Sequence, residues 1–272
     1  MTKVPTEVVR PSTLREALRV LARPSPRAVP LGGGTHLGLY PASAGVLVDL
    51  SQLGLEGIRV KGGRFVVGAM TTLAELAASP RLPQALRTAA TRETNRNLRQ
   101  RATLGGALAV GEPGPLLACL LALDAQVALE PGKVTDPLEK RVRRRAAARK
   151  PIQLIVSAAW DAHLALGYAE VSRAPMDRPI ACAAVAANVK GGKAADVRAV
   201  LSGAGQPIGL QPRVAASLDG VVAHELAARV QAASELVRCD WVDDIRASAE
   251  YRAAIVPVLI RRALEQMFAS VG

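Results

Sequence analysis

Leucines at 14, 18 and 21 recur at helical spacing behind Thr13, and Glu16 stands three residues after that threonine. The stripe and the Thr-x-x-Glu capping box predict a helix starting at Leu14. Thr72 and Glu75 repeat the signature ahead of a second predicted helix. Between them, AVPL (28–31) and GVLVDL (45–50) read as short buried strands. IRVKGGRFVVGA (58–69) reads as a hairpin turning at Gly62-Gly63. LPQALRTAATRE reads as a further helix, and LLACLLALDAQVALEPGK as helix, strand and turn. The stretch between those two, NRNLRQRATLGGALAVGEPGP, is loop-rich.

Downstream, IQLIVSAA, LGYAEVSR, ACAAVAANVK and AADVRAVLSG are strand candidates, with Gly191-Gly192 suited to a hairpin turn. From Ser217 onward the pattern is helical, and Pro257 either kinks the last helix or sits where its missing N–H is tolerated. The pattern predicts an α+β chain with a boundary near residue 155. Residues 1–155 are mixed α/β, and residues 156–272 are a small antiparallel sheet followed by helices.

Composition changes this picture little. Half of the 272 residues are hydrophobic and only 3% aromatic, so the core is aliphatic. No apolar run reaches the length of a membrane span, and the N-terminus lacks a signal-peptide core. Cys119, Cys182 and Cys239 are widely spaced, with no CxxC pair. That disfavours a zinc or iron–sulfur site within the chain and fits a reduced, cytoplasmic setting. His36, His163 and His224 fall in no Ser/His/Asp or metal-ligand pattern, so no catalytic side chain is assigned.

The net charge of +12 is spread along the chain except at EKRVRRRAAARK, Glu139 to Lys150. That segment reads first as a solvated helix face or loop, and next as a contact for an acidic protein surface. Nucleic-acid binding is disfavoured, because neither interleaved aromatics nor a recognised motif accompanies the charge.

The candidate chemistry lies in two glycine elements. Gly32-Gly33-Gly34-Thr35 follows the AVPL strand, and Thr103-Leu104-Gly105-Gly106 repeats the pairing of a threonine with glycines. Successive glycine N–H groups make an anion cradle, though a plain tight turn also explains them. The P-loop pattern is absent, and Leu37 occupies the position of the third glycine in GxGxxG. Two such loops suit a pyrophosphate held from both sides.

In this combination the chain resembles the FAD-binding medium subunit of molybdenum hydroxylases, the xanthine dehydrogenase and carbon monoxide dehydrogenase family. The family's A-G-G-T-D-L motif corresponds to GGGTHL, Gly32 to Leu37, and its T-I/L-G-G motif to TLGG, Thr103 to Gly106. VGAMTTLAEL (67–76), LLALDAQV (120–127) and DIRASAEYR (244–252) match further family segments in order. The resemblance implies a vanillyl-alcohol oxidase-like FAD-binding fold of two subdomains, about 1–53 and 54–155, followed by the family's C-terminal domain. It implies FAD contacts at Gly32, Gly33, Gly34, Thr35, His36, Leu37, Thr103, Leu104, Gly105 and Gly106. It also implies a large subunit with a molybdenum cofactor, a small subunit with 2Fe-2S clusters, and NAD or another electron acceptor.

Some positions depart from the family. His36 replaces the usual Asp or Ser, Ala102 the usual Gly, and Ala107 the usual Asn. The aspartate expected after Pro113 is missing, which leaves Glu112 as the carboxylate to replace it. The basic segment stands where the family often carries aromatic and apolar residues. These departures keep open a second reading, a flavin-free docking subunit that retains the fold.

Overall fold

The structure, a computed structural model, describes residues 5–39, 45–144, 153–174, 177–203 and 206–271. Its described residues divide into two compact units, the first drawn from 1–75, 96–111 and 125–160 and the second from 76–95, 112–124 and 161–272.

The first unit holds two sheets. Strands β1 (Glu7–Val9), β2 (Ala28–Leu31) and β3 (Val46–Asp49) form a parallel sheet in the order β1-β3-β2. Parallel neighbours need a crossover, and helix α1 (Leu14–Leu21) supplies one. Its start keeps the expected cap, Thr13 Oγ1 accepting the Glu16 N–H at 3.2 Å, while Glu16 Oε2 reaches one residue further back and accepts the Ser12 N–H at 3.2 Å. Ala17, Val20 and Leu21 turn inward onto Ala28, Val46 and Val48. A short helix, α2 (Thr35–Leu39), follows the Gly32–Gly34 turn.

The second sheet has five strands: β4 (Ile58–Lys61), β5 (Arg64–Gly68), β6 (Gln126–Glu130), β7 (Val134–Pro137) and β8 (Leu154–Asp161), in the order β4-β5-β8-β6-β7. Gly62 and Gly63 turn the β4–β5 hairpin with φ of 58° and 72°. Only glycine takes two successive positive φ angles without strain, and the twist of such a turn matches the strands it joins. Between β5 and β6 run α3 (Leu73–Ala78), α4 (Gln84–Glu93), α5 (Arg96–Arg99), α6 (Leu104–Val110) and α7 (Pro115–Ala122). Helix α8 (Leu138–Arg144) carries the start of the basic segment. There Lys140 pairs with Asp136 and Arg143 with Glu139, as on a solvated face. The rest of the segment, 145–150, lies outside the described residues.

The second unit is a three-layer sandwich. Strands β9 (Ala165–Val171), β10 (Ala181–Lys190), β11 (Lys193–Ser202) and β12 (Gly209–Leu210) form an antiparallel sheet in the order β12-β11-β10-β9. Residues 181–187 of β10 are buried without interruption. Such a run requires cover on both faces. Ala181, Ala183, Val185 and Ala187 pack into a core with α9 (Pro212–Leu218), α10 (Leu226–Ser234) and α11 (Ala249–Ala269). The opposite face meets α7, in which every residue is buried. Gly114, at the start of α7, has no side chain to cap it. The Glu93 carboxylate at the end of α4 does so instead, accepting the Leu116 N–H at 2.9 Å, and burial pushes its carboxyl up.

β8 completes the first unit's sheet, whereas α4 and α7 pack on the second unit's sheet. The reason is burial: α7 is apolar on all sides and needs a surface above and below it. Pro257 lies within α11, which runs unbroken across it.

Helix α11 lies so close to β9 that a Cβ on Gly167 would sit 1.7 Å from the Ala263 carbonyl oxygen. Gly167→Ala is therefore expected to destabilise the second unit by about 1–3 kcal/mol through a forced helix shift. A lowered midpoint in chemical denaturation checks this, and an unchanged midpoint refutes it.

Candidate functional site

The two glycine elements meet inside the first unit. A Cβ on Gly33 would fall 1.5 Å from the Arg101 carbonyl oxygen, and one on Gly32 would fall 2.9 Å from Thr103 Oγ1. Gly34 has φ of +75°, a left-handed turn that reverses the chain into α2. Arg101 Nε donates to the Gly33 carbonyl at 3.2 Å. The loop after β2 thus lies directly on residues 101–103, with no room for side chains between them.

Among the described residues, no hydrogen bond takes up the backbone N–H groups of Gly33, Gly34 or Thr35. Backbone donors seldom stay unpaired unless they face water or a ligand. Three in succession form a concave donor set for an anion. His36 and Leu37 follow in the first turn of α2, both half-buried.

Most N–H groups of the second glycine element are paired within the chain. Thr103 caps α6, accepting the Gly106 N–H on Oγ1 at 3.2 Å. The Leu104 N–H donates to the Thr71 carbonyl at 2.9 Å, and the Gly105 N–H to the Ala69 carbonyl at 2.7 Å. A Cβ on Gly105 would stand 2.7 Å from that of Ala69. Of the N–H groups expected to grip a phosphate from this side, those of Leu104, Gly105 and Gly106 have internal acceptors, whereas among the described residues no hydrogen bond takes up that of Thr103. Thr103 also stands against Gly32, and Gly105 lets α6 lie close on the Ala69 turn.

The stretch that receives this contact is VGAMTT, 67–72. Thr71 Oγ1 accepts the Gly57 N–H at 2.9 Å, and the Met70 N–H donates to the Leu55 carbonyl at 2.8 Å. Layered loops at 55–57, 69–71 and 101–106 therefore support the Gly32–Gly34 turn. Neither Arg101 nor the Ala69–Thr71 turn carries a local motif of its own that points to this site. The match of VGAMTTLAEL to the family pattern was the available signal for the latter.

Glu112 belongs to the second unit. Its Oε2 accepts from Arg178 Nη1 at 3.0 Å, while Arg178 Nη2 donates to the Pro113 carbonyl at 3.0 Å. Among the described residues, no cluster of His, Cys, Asp and Glu is arranged to hold a metal ion, and no single helix is long and apolar enough to cross a membrane.

Residues 4–157 match the family model described as the FAD binding domain in molybdopterin dehydrogenase. Residues 167–267 match the CO dehydrogenase flavoprotein C-terminal domain. The chain belongs to the family of FAD-binding subunits of molybdopterin dehydrogenases, and its first family segment is an FAD-binding domain. It is 30% identical to the 6-hydroxypseudooxynicotine dehydrogenase complex subunit alpha of Paenarthrobacter nicotinovorans, covering 93% of this chain and 90% of that protein. It is 29% identical to the nicotine 6-hydroxylase medium subunit of the same organism, covering 93% and 94%. Among solved structures, it superposes on carbon monoxide dehydrogenase from Hydrogenophaga pseudoflava with a TM-score of 0.83 at 26% identity, covering 99% of each chain.

The donor set fits the diphosphate of FAD. Gly33, Gly34 and Thr35 offer consecutive N–H groups, the Arg101 guanidinium adds positive charge beside them, and any side chain at Gly33 would collide with the opposing loop.

Proposed function

We propose that this chain is the electron-transferring flavoprotein subunit of a cytoplasmic molybdenum hydroxylase complex. Its partners are a large subunit holding the molybdenum cofactor and a small subunit holding 2Fe-2S clusters. Electrons leave the complex through this subunit to NAD or another acceptor. The observation that carries the reading is the run of three N–H donors at Gly33–Thr35 that no hydrogen bond takes up among the described residues, on a loop packed against residues 101–103.

FAD supplies the two-electron chemistry when bound; the protein's part is position and electrostatics. Gly33, Gly34 and Thr35 would donate to the diphosphate, and Arg101 would offset its charge while holding the Gly33 carbonyl. Thr103 to Gly106 keep that loop from relaxing. No side chain here is required to move a proton or to attack a substrate, so the substrate is selected elsewhere in the complex. The three cysteines are free thiols, as suits a reduced compartment. The family segments 4–157 and 167–267 support a division of evolutionary modules near residue 155, independent of how the helices pack.

One observation favours the flavin-free docking subunit as a second reading. In the second glycine loop the Leu104, Gly105 and Gly106 N–H groups have internal acceptors, and Glu112 pairs with Arg178. Titration of the purified chain with FAD separates the two. The proposal expects saturable binding of one flavin per chain, with quenching of flavin fluorescence. No binding would establish the docking reading. Gly105→Val pushes α6 off the Ala69 turn and is expected to weaken FAD by about tenfold or more, the equivalent of at least ~1.4 kcal/mol. Wild-type affinity in that variant would remove the buttress from the site.

A further inference from the structure

The three parallel strands of the first unit end along one edge, at Val9 of β1, Asp49 of β3 and Leu31 of β2. Ligands of parallel sheets lie beyond such carboxyl ends, and the Gly32–Gly34 turn leaves from one of them. Asp49 stands directly across from Leu31 in the register, so their Cα atoms are about 4.8 Å apart and their side chains share one face of the sheet. On that face Leu31 Cδ1 lies 3.3 Å from where a Cβ of Gly34 would stand. Asp49 therefore sets a carboxylate beside the loop that offers its N–H groups to an anion.

A carboxylate there repels a diphosphate unless it is offset. Its hydrogen bonds show both what it does and what offsets it. Asp49 Oδ1 accepts the Ser51 N–H at 2.9 Å, which turns the chain sharply after β3. The turned chain brings the Leu50 N–H to the Leu31 carbonyl at 3.0 Å, immediately before the glycine turn begins. Asp49 Oδ2 accepts from Arg10 Nε at 2.8 Å, and Arg10 is the residue that follows β1. The Asp49 side chain is 13% exposed and that of Arg10 60%, so the cation covers the carboxylate from the solvent side.

We infer that Asp49 and Arg10 are a positioning pair for the flavin diphosphate: Asp49 sets the turn that fixes the exit of β2, and Arg10 cancels the charge that this turn places beside the site. The inference rests on the FAD reading given above. Neither side chain has to touch the flavin. An ion pair this open to water adds little to stability, so its effect is on the field at the loop.

Flavin titration at low ionic strength of wild type, Asp49→Asn, Arg10→Gln and the double variant tests it, with the melting midpoint followed in each. Asparagine still accepts the Ser51 N–H through Oδ1 but carries no charge, so Asp49→Asn is expected to tighten FAD about fivefold. Arg10→Gln uncovers the carboxylate and is expected to weaken FAD about fivefold, and the double variant is expected to return within about twofold of wild type. Both single effects should shrink at about 0.5 M salt. A pair that only tied β1 to β3 would be broken equally by either substitution. FAD affinity that moves in the same direction in both single variants, or in neither, would therefore overturn the inference. Asp49→Ala removes the same charge as Asp49→Asn but also the acceptor of the Ser51 N–H, and is expected to weaken FAD about tenfold or more. FAD held as tightly by the alanine variant as by the asparagine variant would overturn the positioning role of Asp49, and if the alanine variant does not fold, the opposite signs of Asp49→Asn and Arg10→Gln decide. A wild-type chain that binds no FAD would overturn the FAD reading itself, a result distinct from a wild type that binds and single variants that fail to diverge.

Discussion

Gly33→Val is expected to abolish FAD binding while the second unit stays folded. The Arg101 carbonyl oxygen lies 1.5 Å from where the first added carbon would stand, and its carbonyl carbon 2.3 Å away. Ordinary van der Waals contact would require the two loops to separate by about 2 Å. Backbone cannot yield as the end of a flexible side chain can, because Arg101 and Ala102 are held by N–H bonds to the Leu98 carbonyl. Separation would break the Arg101 Nε bond to Gly33 and move the N–H groups of Gly34 and Thr35 out of line. A displacement of this size at three charge-assisted donors predicts at least about a 100-fold rise in the FAD dissociation constant, or ~2.7 kcal/mol. Gly33→Ala tests the same contact with the smallest possible group and is expected to fail as well. Flavin titration of both variants, with hydrogen exchange to follow each unit, is the measurement. Flavin retained at wild-type affinity in either variant would show that the Gly32–Gly34 loop is not the diphosphate site.

How far the sequence already contained this site depends on the distance over which each signal acts. The capping boxes at Thr13 and Thr72 and the hairpins at Gly62-Gly63 and Gly191-Gly192 were legible because each depends on residues within a few positions. A threonine hydroxyl reaches an N–H three residues on whatever else the fold does. The glycine loops were legible as loops for the same reason. The use of their donors was not. Gly105 and Gly106 have the composition of an anion cradle, but whether an N–H faces a ligand or a carbonyl is decided by where Ala69 and Thr71 lie. The sequence order does not specify that approach.

Glu112 shows the same limit over a longer span. Beside Pro113 it had the character of a substitute for a missing aspartate, yet its partner, Arg178, stands 66 residues later. The membership of α4 and α7 in the second unit was hidden differently. An all-apolar helix announces that it is buried and says nothing of which sheet buries it. The DIRASAEYR segment was recognised as a family signature, but nothing local reveals that its last arginine is the buried one and its isoleucine the exposed one. Both facts follow from the carbonyls of residues 180, 242 and 247 converging on one guanidinium.

Removing that guanidinium is expected to be the most destabilising single change in the second unit. Arg252→Met keeps the length and the apolar stem, and it leaves Asp244 and three carbonyls without their donor. Breaking a buried charge pair by removing one partner costs about 3–5 kcal/mol. Arg252→Lys should not rescue it, because one ammonium cannot reproduce a planar fork that reaches acceptors on two sides. Chemical denaturation gives the size of the loss, and hydrogen exchange across 237–248 shows whether it starts in the loop. The pH dependence tests the same pair from the other side. The hydrogen bond from Arg252, with those from the Arg246 and Ala247 N–H groups, holds the Asp244 carboxyl well below the usual carboxylate range despite its partial burial. A carboxyl whose pKa is lower folded than unfolded stabilises the fold above its unfolded value, near about 3.9, and loses that contribution as the pH falls toward its folded value. The stability gap between wild type and Asp244→Asn should therefore be full at neutral pH and narrow only as the pH falls below about 4. An equal gap at pH 7 and at strongly acidic pH would mean that Asp244 acts through shape and not through charge, and the loop would then owe its rigidity to Gln206, Gln211 and the carbonyl contacts alone.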